Sequence, residues 1–311
     1  MNGTRGPLGV TALGLGVVGA VGWSIHRLAR GPHSDRAEFE RRAVAELSRP
    51  CPGRLVTDTD LGGLPEPVAR YIHRSGAIGQ PEISNSHARV HGRIRSGADA
   101  AWMTFTGEQV NTFGDTPSRL FFIVAAMKGV PIDVFHSFIG ADATMRAKAL
   151  SVVTIVDHKG PEMVQSETVT ILNDACLMAP GALIDPAFVW APIDDRTARV
   201  TFTRLDVTVS ATLHFDDADR LIDFVSDDRR RDHTLQRWST PIGSYRDIDD
   251  RRVMSFGEGR WHAPAPEGEF TYVEFELDDI SYNTDPEAFL AARTRRARRA
   301  GAATPGRPSP R

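Results

Sequence analysis

The 311 residues are 41% hydrophobic, 25% charged and 8% aromatic, with 27 Gly, 20 Pro and only 2 Cys, a profile that excludes wholesale disorder, a collagen-like repeat and a disulfide-built miniprotein. The formal charge of -3 hides a segregation: residues 1–30 hold three Arg and residues 293–311 seven, neither stretch with an acid, which leaves -13 for the chain between them. An acidic body argues against a nucleic-acid groove, which needs clustered Lys and Arg, and basic ends suit a membrane surface better.

From Gly6 to Ile25 the chain carries twenty residues without a charge, ending near Trp23, long enough as a helix to cross a bilayer. The same run contains Gly14, Gly16 and Gly19 in a formal GxGxxG, with Asp35 beyond it where a ribose-binding acid would stand. A dinucleotide site needs a buried strand on each side of that turn. Here residues 35–42 read as a polar helix, so no cofactor is expected and the glycines are assigned to the membrane span, giving an anchor over residues 1–30. Ala12, Gly16 and Ala20 recur every fourth position and could line a homodimer contact, although small residues merely tolerated in the bilayer are the simpler reading. A cleaved signal peptide is the competing reading. The heavier positive charge after the run, at Arg27, Arg30, Arg36, Arg41 and Arg42, favours an uncleaved anchor with the body on the cytoplasmic side. Cys51 and Cys176 fit a reduced compartment, or could pair in an oxidising one.

Residues 35–48 predict a short helix, closed by the breaker cluster Arg49–Gly53, so that residues 31–60 form a helix and Pro-rich linker and the body begins near Leu61. Leu64, Val68, Tyr71 and Ile72 define one face of a helix entered through prolines and stopped at Gly76. Period-two alternation follows at Ala88, Val90, Gly92 and Ile94, and again from Val207 to Phe215, where a turn at Asp216–Asp219 leads into Leu221–Val225 as a hairpin. In the stretch 270–277, Thr271, Val273, Phe275 and Leu277 are expected on one face and Phe270, Tyr272, Glu274 and Glu276 on the other. About ten such runs predict a large antiparallel sheet. Pro161–Met178 breaks the rhythm: Val164, Thr168, Ile171, Leu172, Ala175 and Cys176 follow helical spacing, predicting a helix laid on the sheet. The fold class is therefore α+β, a curved, mostly antiparallel and half-barrel-like sheet covered by a helix, with an N-terminal transmembrane helix. The body spans 61–290, a helix is expected over 286–299, and residues 293–311 read as a basic disordered tail.

The segments Leu64-Pro65-Glu66-Pro67-Val68-Ala69-Arg70-Tyr71, Leu172–Asp185 with its Asn-Asp-Ala-Cys and Ala-Pro-Gly-Ala-Leu-Ile-Asp cores, Trp190–Asp194, Gly259-Arg260-Trp261 and Gly268–Glu274 resemble an uncharacterised bacterial family known only as a domain of unknown function. The likeness covers about residues 61–283. Two places depart from the family pattern: Pro241-Ile242-Gly243 lacks a Trp, and His136-Ser137-Phe138 stands for an Asp and aromatic pair. The family implies no activity, and its strand-rich layout resembles the half-barrel of lipoprotein and lipid carriers at the level of fold only.

Asn173, Asp174 and Cys176 place a thiol beside a carboxylate, but an adjacent acid weakens a thiol nucleophile. A packed Cys, with Asn173 and Asp174 capping backbone groups at Pro180 and Gly181, is the simpler expectation. His87 and His91 have zinc-like spacing only on a helix; in a strand they stand about 13 Å apart, and no metal is expected. Neither GxSxG nor a Walker pattern is present. Arg229 and Arg231 share a strand face and could clamp an anionic head group, or simply solvate among Asp227, Asp228 and Asp232. Trp261 and Tyr272 could stack on a ligand or fill a core. The leading expectation is a membrane-anchored, non-catalytic binder of a lipid or other apolar ligand, with Asn173, Asp174, Arg229, Arg231, Trp261 and Tyr272 as the ligand-binding set. The alternatives are an enzyme using Asp174 with Asn173 or Arg229, and an interaction module assembled through its membrane helix.

Overall fold

The structure is a computed structural model that describes residues 31–302 apart from Asp232. The expected anchor over residues 6–25, the glycine fingerprint within it, the Ala12, Gly16 and Ala20 face and the chain beyond Ala302 lie outside the described residues. Among the described residues no helix is long and apolar enough to cross a membrane.

The chain runs through α1 (Asp35–Leu47), a single turn α2 (Asp58–Leu61) and α3 (Glu66–Arg74) into β1 (Asn85–Ile94), β2 (Met103–Thr112), β3 (Ser118–Met127), β4 (Val130–Ile139), β5 (Asp142–Ala149) and β6 (Val153–Lys159). Helix α4 (Pro161–Met178) interrupts the strands, which resume as β7 (Phe188–Asp194), β8 (Thr197–Arg204), β9 (Val207–Phe215), β10 (Leu221–Arg231), β11 (Thr234–Ser239), β12 (Ile242–Ile248), β13 (Arg251–His262) and β14 (Glu269–Tyr282), before α5 (Pro286–Ala302). All fourteen strands form one antiparallel sheet in the order β6-β5-β4-β3-β2-β1-β14-β13-β11-β10-β9-β8-β7, with β12 on β13 beside β11. The α+β, half-barrel architecture expected from the alternation is therefore present, with fourteen strands where about ten were read.

Local chemistry explains the elements that frame the interior. Helix α3 enters through Pro65 and Pro67 and stops at Gly76, whose φ of +75° a side chain would oppose. Helix α4 opens with Pro161 in its first turn and gives way to a short 3-10 turn at Pro180–Ala182. Every residue of α4 from Ser166 to Met178 is buried, so the helix is enclosed and its polar side chains face protein. Tyr71 and Tyr282 pin its end, donating to the carbonyls of Cys176 at 2.8 Å and Met178 at 2.5 Å.

Strand β3 is covered on both faces. Ile123 and Ala125 join the main core under α4, whereas Leu120 and Phe122 pack with Phe39, Ala43 and Leu47 of α1 and Phe289 of α5. Two corrections follow. Helix α1, expected in a linker ahead of the body, packs on it, because its Phe39, Ala43 and Leu47 stripe needs an apolar surface. The helix expected over 286–299 is present as α5 and runs on to Ala302, into the stretch expected as a disordered tail, with Arg293 and Arg296 both reaching the half-buried Glu108.

Candidate functional site

Between α4 and the concave face of the sheet lies a cavity of about 260 Å³. Its walls are apolar over Val90, Ile94, Phe105, Ile123, Met178 and Phe275. One region is strongly polar and is built from α4 and the strands facing it. On α4, Glu167, Thr170 and Asp174 recur at i, i+3 and i+7 and so share a face, with Asn173 beside them, and all four line the cavity. Strands β2, β3 and β4 contribute Gln109, Arg119 and His136.

Arg119 joins the two acids. Its Nε donates to Asp174 Oδ2 at 2.7 Å and its Nη1 to Glu167 Oε2 at 3.0 Å, with the three side chains only 7%, 9% and 1% exposed respectively. Asp174 Oδ2 also accepts from Gln109 Nε2 at 2.7 Å and Asn111 Nδ2 at 3.0 Å, and His136 Nδ1 donates to Glu167 Oε1 at 3.0 Å. Burial by itself pushes a carboxyl pKa up. For Glu167 that push is overturned by Arg119 and His136, which hold it at about 2. For Asp174 burial prevails over the same arginine, helped by repulsion from Glu167, and its pKa lies above the ordinary carboxylate value. The expected caps at Pro180 and Gly181 are not made: Asn173 donates instead to Thr240 Oγ1 at 2.6 Å, and Asp174 turns to the sheet because α4 is buried on that side.

The structure brings Asn173, Asp174, Arg229 and Tyr272 to this cavity and leaves Arg231 and Trp261 out of its lining. Arg229 stacks on Trp238, 4.2 Å from the ring centre, and on Trp261 at 5.4 Å, and among the described residues its guanidinium donates no hydrogen bond and forms no ion pair. The neighbouring acids are engaged elsewhere, Asp227 with Arg237 and Asp228 with Ser210. Arg231 is paired with Glu267 at 2.7 Å, so it is not placed to clamp a head group in the cavity. Trp261 is 8% exposed and packs behind Tyr272, a core residue supporting the wall. Tyr272 and Val273 both reach the cavity, against the expected alternation, because the β13–β14 register slips from Gly259↔Val273 to Arg260↔Thr271 and leaves Tyr272 as the extra residue of a bulge. Gly259 is required there, since a Cβ would lie 2.7 Å from Val273 Cγ1 and 2.8 Å from Tyr272 Cε1.

The sequence pattern singled out His136 only as a departure from the family and did not point to Arg119, Glu167 or Gln109. The i, i+3, i+7 spacing of Glu167, Thr170 and Asp174 was a usable signal; Arg119 and Gln109 became neighbours only through strand register. Cys176 is buried and its thiol is pushed upward by burial and by Asp174, the opposite of an activated nucleophile. His87 and His91 have separate partners, Glu108 and Asp278, and among the described residues no three His, Cys, Asp or Glu side chains are grouped for a metal.

What these residues build is an α+β half-barrel, its sheet open between the β6 and β7 edges, whose interior offers an apolar chamber with one charged, hydrogen-bonded region. The chain belongs to the family described as a family of unknown function, DUF6544, which matches residues 54–275. A comparison with curated proteins finds no match. Among solved structures the chain is similar to a putative outer membrane lipoprotein-sorting protein domain from Vibrio parahaemolyticus, at 12% identity over 65% of this chain and 86% of that one, with a TM-score of 0.37. It is also similar to a LolA superfamily protein from Nitrosomonas europaea, at 11% identity over 75% and 96% with a TM-score of 0.40, and to a DUF1329 family protein from Desulfovibrio piger, at 11% over 74% and 94% with a TM-score of 0.37.

Proposed function

We propose that the protein is a membrane-anchored, non-catalytic binder of a small lipid or other apolar ligand, held in the cavity between α4 and the sheet. The observation that carries this reading is the chamber itself, about 260 Å³ with mainly apolar walls. An apolar cavity of about 150 Å³ holds one benzene. This chamber therefore suits a single chain end or a small amphiphile and is too small for a whole diacyl lipid. Arg229 and Asn173 stand where a ligand's polar group would be met, and Tyr272 forms part of the wall. His136, one of the two departures from the family pattern, lines the chamber and would change what this member accepts. Residues 6–25 supply the anchor, and the arginines that follow them favour a cytoplasmic body.

The test is organic extraction and mass spectrometry of the full chain purified in mild detergent, followed by titration of the emptied protein with single-chain amphiphiles. A stoichiometric co-purifying ligand, or saturable binding abolished by Gly259→Val, is expected. Neither extractable ligand nor saturable binding would overturn the reading.

A catalytic reading draws on the convergence of Asn173, Asp174 and Arg229 in one chamber together with the raised pKa of Asp174. Three donors already converge on Asp174 Oδ2, which suits a fixed structural charge better than a group that must exchange a proton. Recovery of a chemically altered ligand from the native protein, and of the unaltered one from Asp174→Asn, would favour catalysis over binding.

A further inference from the structure

The turns at one end of the strands carry apolar side chains that the core does not use. Met127 and Val130 pair across the β3–β4 turn, and Leu150, Val152 and Val153 form the β5–β6 turn beside it, where Leu150 N donates to Pro131 O at 2.9 Å. These five side chains are 39–57% exposed. Leu150 is held at φ +53°, a left-handed conformation that turns of this kind normally give to Asn or Gly. A strained leucine at an exposed tip is neither a turn former nor a core residue. The segments 126–131 and 147–155 contain no acid and carry Lys128 and Lys148.

Two further observations say what covers this surface. First, Lys148, two residues before Leu150, bonds Asp35 at the start of α1 at 2.9 Å, and Arg146 does so at 3.0 Å. The apolar run ends at Ile25, ten residues before α1 begins at Asp35, so at about 3.5 Å per residue its end is within about 35 Å of that point. Arg27, Arg30 and Arg36 lie in the same connection. Second, the strand ends that bear the tips also bear the apolar end of the chamber: Ile94 pairs with Met103, and Phe105 with Ala125, two residues from Met127.

We propose that the β3–β4 and β5–β6 tips sit in the head-group layer of the bilayer that residues 6–25 cross, turning the apolar end of the chamber toward the lipid. The inference rests on the anchored-binder reading and adds a fixed orientation to it. Apolar side chains seated among head groups, with Lys128 in the β3–β4 turn and Arg27 and Arg30 in the sequence that leads to α1, match an anionic membrane surface.

The experiment uses the full chain, with Cys51→Ser and one added cysteine labelled with an environment-sensitive fluorophore, in vesicles of phosphatidylcholine and phosphatidylglycerol at three to one. Labels are placed in separate proteins at Val152→Cys, at Met127→Cys and, as a control in the β9–β10 turn at the opposite end of the strands, at Asp217→Cys. The tips are expected to emit to the blue and to lose at least about half their intensity to a head-group nitroxide lipid, with the control unchanged. A protein that floats with the vesicles but shows no quenching at the tips overturns the docking and leaves the anchor standing. A blue shift without lipid quenching also overturns it and assigns the tips to a protein contact. Failure to float with the vesicles overturns the anchor and the docking together.

Discussion

Arg119 Nε and Asp174 Oδ2 lie 2.7 Å apart across 55 residues of sequence, and this contact fastens the inserted helix to the middle of the sheet. The same guanidinium holds Glu167, so removing it strands two buried carboxylates. Breaking one side of a buried ionic network costs about 3–5 kcal/mol, more than the pair itself contributes. Arg119→Leu is expected to lower the urea-unfolding free energy by that amount. A loss below about 1 kcal/mol would show that the acids find other partners or water.

The thiols make a contrasting pair. Cys51 is exposed and Cys176 is enclosed in α4 with its pKa raised by burial. A disulfide reagent at neutral pH is expected to modify one thiol per native chain, at Cys51, and two after denaturation. Prompt modification of Cys176 in the native protein would show that α4 opens, or that the thiol is more reactive than its surroundings allow.

The stability of the outer core should depend on α1. Phe39 is fully buried, with ring centres 5.9 Å from Phe122, 6.0 Å from Phe135 and 6.4 Å from Phe289. Phe39→Ala is expected to cost about 3–5 kcal/mol in denaturant unfolding, the usual price of an aromatic deleted from a packed core. A change under about 1 kcal/mol would mean that α1 docks only loosely.

How much of this was legible follows from how each segment is covered. Val207–Phe215 alternates because one face of β9 is buried and the other is wet, and the strand was readable from that period. Ser118–Met127 does not alternate: α1 and α5 cover one face and α4 the other, so both rows of side chains are apolar and the period vanishes. Pro161–Met178 was readable at both ends through its prolines. Its partners were not, because the meeting of Asp174 with Gln109 and Arg119 depends on the register Gln109↔Phe121 and Asn111↔Arg119, which no local pattern encodes. The placement of Tyr272 beside Val273 in one wall required a bulge that single-strand periodicity does not reveal.

The pH dependence of stability should carry two opposed contributions. Glu108 is held at about 2, against an ordinary 4.5: burial pushes it up, and His87, Arg293 and Arg296 more than reverse that. Its folded form binds a proton less readily than its unfolded form, so its contribution is complete above about pH 4.5 and is lost as the pH falls toward 2. Asp223 behaves in the opposite sense, since burial raises it from 3.8 to about 6. There the folded state binds the proton more tightly, so stability declines as the pH rises from about 4 to about 6 and stays reduced above that. Urea midpoints measured from pH 3 to pH 8 are expected to flatten at the acid end in Glu108→Gln. In Asp223→Asn they should rise near neutrality, with the unfolding free energy higher by about 3 kcal/mol if the full shift is relieved. An Asp223→Asn protein with the pH profile of the parent would show that water reaches this carboxylate and that its burial is incomplete in solution.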